Sequence, residues 1–139
     1  MKKKIGYTTG IFDVFHIGHL NLIRKAKLHC DKLIVGVSTA KVVKEKKKNT
    51  INSYKQRKEI INSLIYVDKT IAQTSIDKIK EYKKIKFDIL FVGDDWKNTT
   101  SWNSFEKELK KYKVKIKYFK YTKHISSSKL RKFINNYYF

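Results

Sequence analysis

Near the amino end the chain reads Gly10-Ile11-Phe12-Asp13-Val14-Phe15-His16-Ile17-Gly18-His19. This string places two imidazoles, a carboxylate and two glycines directly behind an apolar, strand-like run. His16 and His19 are three residues apart, a spacing that stacks them on one face of a helix at its first turn. A strand-to-helix turn aims backbone N–H groups and the positive end of a helix dipole at an anion. A polyphosphate bound there would have two titratable side chains beside its reacting phosphorus. Gly18 removes a side chain where a phosphate must come close. Phe12 reads as the anchor of the turn in the core. Asp13 has three readings: a cap for the helix, an orienter of an imidazole, or a helper in holding a metal.

Regular elements have to hold that string. Apolar runs at residues 5–9, 33–38, 89–92 and 114–118 predict buried strands, and residues 67–71 add a fifth, weaker one. Helical patterns lie between them at residues 17–29, 53–65, 76–84, 102–112 and 127–137. Ser53, Ser75 and either Ser126 or Ser127 are the expected N-caps. Strands alternating with helices imply crossover connections and a parallel sheet covered on both faces. Ligands of such sheets bind at the carboxyl ends of the strands, where the strand order reverses. With strands one and four as neighbours, the turn at 10–19, the segment after strand four and the segment 121–128 converge. The lysine-rich stretch 44–49 reads as a mobile loop.

At 139 residues, with 41% hydrophobic and 14% aromatic content, the chain can bury a core as one domain. The lone Cys30 excludes an internal disulfide and fits a reducing compartment. No apolar run reaches the roughly 18 residues of a membrane span. The amino end also lacks the pattern of a signal peptide, so the cytoplasm is the expected location. The net charge is +21, yet only Arg24, Arg57 and Arg131 contribute arginine among 33 basic residues. Base readout leans on arginine's bidentate fork, so this lysine-dominated charge argues against specific nucleic-acid recognition. It does attract anionic substrates.

The string at 10–19 resembles the G-x-F-D-x-x-H-x-G-H signature of the cytidylyltransferase family, within the wider HxGH nucleotidyltransferases. Three further segments resemble the same family in order. Ser53-Tyr54-Lys55-Gln56-Arg57-Lys58 is similar to its S-Y-x-x-R-K helix start. Gly93-Asp94-Asp95-Trp96 is similar to the G-D-D-W of its glycerol-3-phosphate members, and Ile125-Ser126-Ser127-Ser128 to the G-I-S-T-[ST] of its last signature. The resemblance covers nearly the whole chain. It implies one Rossmann-like α/β nucleotidyltransferase domain over residues 1–139, with a five-stranded, mostly parallel sheet and helices on both faces.

The activity implied is transfer of CMP from CTP to a small phosphorylated alcohol such as glycerol 3-phosphate, phosphocholine or phosphoethanolamine. The acceptor phosphate attacks directly in line and pyrophosphate leaves. The resemblance assigns His16 and His19 to the triphosphate, with Lys46 bridging CTP and acceptor. It gives Lys48 and Arg57 to the acceptor phosphate. Nucleotide contacts fall to Gly10, Ile11, Phe12, Asp13, Gly18, Asp94, Asp95, Ile125, Ser126, Ser127 and Ser128. Mg2+ or another divalent cation is expected on the phosphates, with Asp13 as a candidate protein ligand, and a homodimer is implied. The chain departs from the family in Tyr121, which replaces an arginine, and His124, which replaces a glycine; Lys123 or Arg131 is the candidate replacement for the lost charge. Two other readings stay open. One is an ATP-using adenylyltransferase on the same scaffold, against which Lys46, Lys48 and Asp94-Asp95 favour CTP. The other is a non-catalytic basic module for nucleic acid or anionic lipid.

Overall fold

Leu33, Val35 and Val37 alternate with Ile34 and Gly36, a period of two that sends side chains to opposite faces of a strand. Both sets are buried, so this strand belongs in the middle of a sheet covered on both sides. The computed structural model describes residues 2–93 and 99–138. Among these, the elements run β1 (Ile5–Gly10), α1 (Ile17–Leu28), β2 (Lys32–Ser38), α2 (Ala40–Glu45), α3 (Tyr54–Asn62), β3 (Lys69–Gln73), α4 (Lys78–Ile85), β4 (Ile89–Gly93), α5 (Thr100–Lys111), β5 (Lys115–Phe119) and α6 (Ser127–Tyr138). The five strands form one sheet in the order β3-β2-β1-β4-β5, and every pairing is parallel. The chain thus starts in the centre, winds outward to β3, then returns to the other side of β1. The order reverses between β1 and β4, so the turn after β1 opens at the switch point.

Two apolar layers hold the sheet. On one face Leu33, Val35, Val37, Ile89 and Phe91 meet Ile23 and Ala26 of α1 and Ile61 of α3. Phe12 is buried in the same layer, as the sequence predicts. On the other face Tyr7, Ile34 and Leu90 meet Ile79 of α4 and Trp102 and Leu109 of α5. Each fully buried large apolar side chain contributes roughly 1.5–3 kcal/mol, so neither layer is dispensable.

Several boundaries differ from the sequence reading. The third strand starts at Lys69 rather than 67, because Asp68 terminates the incoming loop: its N–H donates to Leu33 O and its Oδ2 accepts from Leu33 N–H. Tyr66 and Val67 pack on the core from outside the ladder. Helix α3 stops at Asn62, where the Ser63 hydroxyl donates to Ile60 O at 2.6 Å and unpicks the last turn. Ser75 does not cap α4; Asp77 does, accepting from Ile79 and Lys80 N–H, while Ser75 Oγ accepts from Asp77 N–H. Part of the stretch expected as a loop at 44–49 is helical. Thr39 Oγ1 caps α2 by accepting from Val42 N–H, and Val42 and Val43 are buried beneath the flanking lysines. Ser126 caps α6, its Oγ accepting from Lys129 N–H.

His124, at the position of the family's glycine, has a φ of 69°. Left-handed backbone costs a residue with a Cβ about 1–2 kcal/mol, which explains a glycine preference at this turn. His124→Gly is expected to raise stability, by at most about 1.5 kcal/mol after glycine's extra unfolded entropy of roughly 0.5–1 kcal/mol is subtracted. Urea denaturation of the two chains checks this.

Candidate active site

A helix begins with N–H groups that have no partner within it. Here the two imidazoles supply the partners. His16 is the N-cap of α1 and its Nδ1 accepts from Gly18 N–H at 3.0 Å, while His19 Nδ1 accepts from His16 N–H at 3.2 Å. This is a capping box built from rings rather than from serine and glutamate. An Nδ1 that accepts cannot carry a proton, so the neutral rings hold theirs on Nε2. The rings stack with centroids 3.8 Å apart, and Phe15 and Phe12 pack on His19 at 5.3 and 5.5 Å. Burial and the neighbouring His16 push His19 down to about 4; burial also lowers His16. Both rings are therefore neutral donors at pH 7. His19 Nε2–H donates to Ser127 Oγ at 3.2 Å, and the Ser127 hydroxyl donates to Asp13 O at 2.7 Å. His16 Nε2–H has no hydrogen-bond partner among the described residues.

Gly18 makes room for the His16 ring. A Cβ there would lie 2.7 Å from His16 Cε1 and 2.9 Å from Nδ1. The space that this glycine leaves open holds the imidazole. Asp13 does not cap α1, and among the described residues no hydrogen bond joins its carboxylate to an imidazole. Its side chain is buried, with Oδ2 and Oδ1 accepting from the N–H groups of Ile51 (2.9 Å) and Asn52 (2.8 Å) and Arg131 Nη1 at 3.3 Å. Asn52 answers by accepting from Val14 N–H, at a residue held at a φ of 47°. A β-branched residue at that φ is strained by about 1–3 kcal/mol, so Asn52 and Asp13 together fix a turn that would otherwise relax.

Arg57, expected on the acceptor, is 1% exposed. Its Nε donates to Asn52 O, and its Nη1 donates to Ile11 O at 2.9 Å and Ser38 O at 2.8 Å. It braces the ends of β1 and β2 and presents no open fork to solvent. Arg131 also donates to Ser128 Oγ, which puts one guanidinium beside the serine triplet. Lys46 lies at the end of α2 with Nζ donating to Ser38 Oγ at 2.9 Å and Gln73 Oε1 at 3.1 Å. Burial, then the charge of Lys78, brings Lys46 down to about 8. Lys78 Nζ itself pairs with Glu81 at 3.0 Å and donates to Thr9 Oγ1. Lys48 is exposed and faces a cleft of about 410 Å³, with Lys47 and Asn49 on its side and Ser128, Arg131 and Lys132 of α6 opposite. Gly10 and Ile11 close β1 and lead into the turn, where Gly10 O is 3.2 Å from Ser38 Oγ, and Ile125 is half-buried ahead of α6. Asp94 and Asp95 lie outside the described residues.

Sequence reasoning did not single out Asn52, Gln73, Lys78 or Ser38. None stands in a recognisable motif, and each acts by reaching across strand ends that only the fold brings together. The arrangement amounts to polarised N–H donors and cations around the mouth of β1, which is equipment for binding and reacting a polyphosphate.

The cytidylyltransferase-like family profile matches residues 7–133. The chain is 36% identical to the glycerol-3-phosphate cytidylyltransferase of Bacillus spizizenii over 133 residues, which are 95% of this chain and 96% of that protein. It is 33% identical to the Staphylococcus aureus glycerol-3-phosphate cytidylyltransferase, across 94% of this chain and 93% of that one. Among solved structures, a lipopolysaccharide core biosynthesis protein from Thermoplasma volcanium superposes with a TM-score of 0.74 at 25% identity, covering 89% of this chain and all (100%) of that one. No helix among the described residues is long and apolar enough to cross a membrane.

Two predictions follow from the imidazole cap. Gly18→Ala should displace the His16 ring and lower turnover by about 10²-fold, the usual cost of an ångström-scale misplacement; steady-state kinetics beside a thermal melt checks it. Because the folded chain keeps both rings neutral, the unfolded chain binds more protons below the ordinary histidine value of 6.5. The rings' contribution to stability is thus complete above pH 6.5 and is lost as pH falls toward about 4. Melting temperature recorded across that window should fall, and fall less steeply in His19→Asn.

Proposed function

The chain belongs to the cytidylyltransferase-like family and is a nucleotidyltransferase, and from that premise we propose that it transfers CMP from CTP to glycerol 3-phosphate. The observation that carries this reading is the likeness to glycerol-3-phosphate cytidylyltransferases over nearly the full length of both chains. The geometry supports the chemistry. An acceptor phosphate oxygen attacks the α-phosphorus of CTP, forming one P–O bond, while the bond to the β-phosphate breaks and pyrophosphate departs. No group on the protein is modified. The task is positioning and neutralisation of charge.

In this reading His16 Nε2–H, with its open donor, binds a phosphate oxygen that gains charge in the transition state. His19 shares that task once the nucleotide displaces Ser127 from its Nε2. Lys46 bridges CTP and acceptor, and Lys48, on the rim of the cationic cleft, receives the acceptor phosphate. Backbone around Ile11 and Phe12 cradles the nucleotide. The start of α6, with Ser126, Ser127 and Ser128, faces the β- and γ-phosphates, and Arg131 supplies a charge that Tyr121 does not. Asp94 and Asp95 are given the cytosine or ribose end. Arg57 acts through backbone, holding the turn for these residues. The described residues contain no cluster of three or more His, Cys, Asp or Glu side chains fit to hold a metal ion, and the Asp13 carboxylate already accepts from Ile51, Asn52 and Arg131. A divalent cation enters this scheme only as a companion of the triphosphate, and no step is routed through it.

Pyrophosphate release measured with CTP or ATP, and with glycerol 3-phosphate, phosphocholine or phosphoethanolamine, tests the reading. Turnover is expected with CTP and glycerol 3-phosphate. His16→Asn, whose side-chain oxygen keeps the helix capped, should lose about 10²–10³-fold in kcat. Equal turnover with ATP, or none with any acceptor, overturns it.

A further inference from the structure

Lys46 does not reach its place by its own backbone. It is the C-cap of a six-residue helix, on a stem with four rotatable bonds, beside a run of exposed lysines. Unlike Lys44, Lys47 and Lys48, it is drawn inward. The group that receives it is a carboxamide: Gln73, the last residue of β3, is 1% exposed and turns Oε1 toward Lys46 Nζ at 3.1 Å and Ser38 Oγ at 2.6 Å. The ammonium can only donate, so the oxygen, not the nitrogen, must face it. Gln73 is itself fixed, since its carbonyl accepts from Thr39 N–H and its backbone pairs with Ser38 in the β2–β3 ladder. Two strands thereby supply a rigid seat for one mobile ammonium. Among the described residues the ammonium has two partners, which leaves a third N–H for a ligand.

We propose that Gln73 is a positioning residue for nucleotidyl transfer, holding the Lys46 ammonium at the carboxyl ends of β2 and β3 with one N–H directed at substrate. This rests on the reading that Lys46 engages the reacting phosphates. The choice of a neutral acceptor matters. Lys46 is faced by Lys78 and Glu81 from α4 and by Arg57 from α3. A carboxylate at position 73 would anchor the ammonium as well, but would also neutralise it toward a phosphate. A carboxamide anchors it and leaves its charge to the ligand. Burial already brings this lysine to about 8.

The test combines kinetics with a chemical probe. Wild type, Gln73→Glu, Gln73→Met and Lys46→Met are assayed with CTP and glycerol 3-phosphate from pH 6.5 to 10. Acetylation of Lys46 by trace acetic anhydride is followed over the same range by mass spectrometry. Gln73→Glu should move both the alkaline limb of activity and the Lys46 acetylation midpoint upward by one pH unit or more. Gln73→Met, close in shape, should lose 10- to 100-fold in kcat/KM for glycerol 3-phosphate with little change in melting temperature. An acetylation midpoint unchanged in Gln73→Glu overturns the proposal, even where Lys46→Met is inactive. Wild-type turnover by Lys46→Met removes the role given to Lys46, and with it the catalytic meaning of its seat.

Discussion

The first turn of α1 needs acceptors for its free N–H groups, and His16 and His19 provide them through Nδ1. From that single use of two nitrogens most of the site follows. With Nδ1 committed, each neutral ring carries its proton on Nε2 and points it away from the helix. The rings stack, so each also limits the other's rotation. Protonation of either would break a bond that begins the helix, so the fold resists it. Elements of local structure and of chemistry are here the same atoms, and Gly18 is where the two demands meet.

The second constraint is on the backbone around the turn. Phe12 and Val14 both have positive φ values, of 55° and 47°. A chain left to itself would not hold them there. Asp13, Asn52 and Arg57 do so by hydrogen bonds from a loop and a helix that lie about 40 residues downstream. In this light, the buried carboxylate and the buried guanidinium are framing members. His16 Nε2–H and the exposed Lys48 are left with donors to offer an anion.

Much of the fold was legible in the sequence, because hydrophobic period and strand–helix alternation are local signals. A parallel sheet followed from them, whereas the neighbouring of β1 and β4 that puts the switch point beside residue 10 was a supposition which the strand order bears out. The short α2 was hidden because its lysines mask two buried valines. The extent of β3 was hidden because Tyr66 and Val67 look like strand residues while Asp68 opens the ladder after them. At the site, the clustering of His16, His19 and the serines was readable from motif order. The use to which each residue is put was not. Arg57 reads as a phosphate fork until its three carbonyl partners are in view, and Gln73 carries no signal at all, since its partners come from two other segments.

The contacts that finish the pocket join distant parts of the chain. Ser127 reaches Asp13 O and Arg131 reaches the Asp13 carboxylate, separations of 114 and 118 residues. Loops of that length close late, after the more local strand crossovers have formed. On refolding, the turn at 10–19 therefore forms within its own crossover before α6 is fastened to it. Detaching α6 would accordingly leave the imidazole cap of α1 in place but strip Ser127 and Arg131 from Asp13.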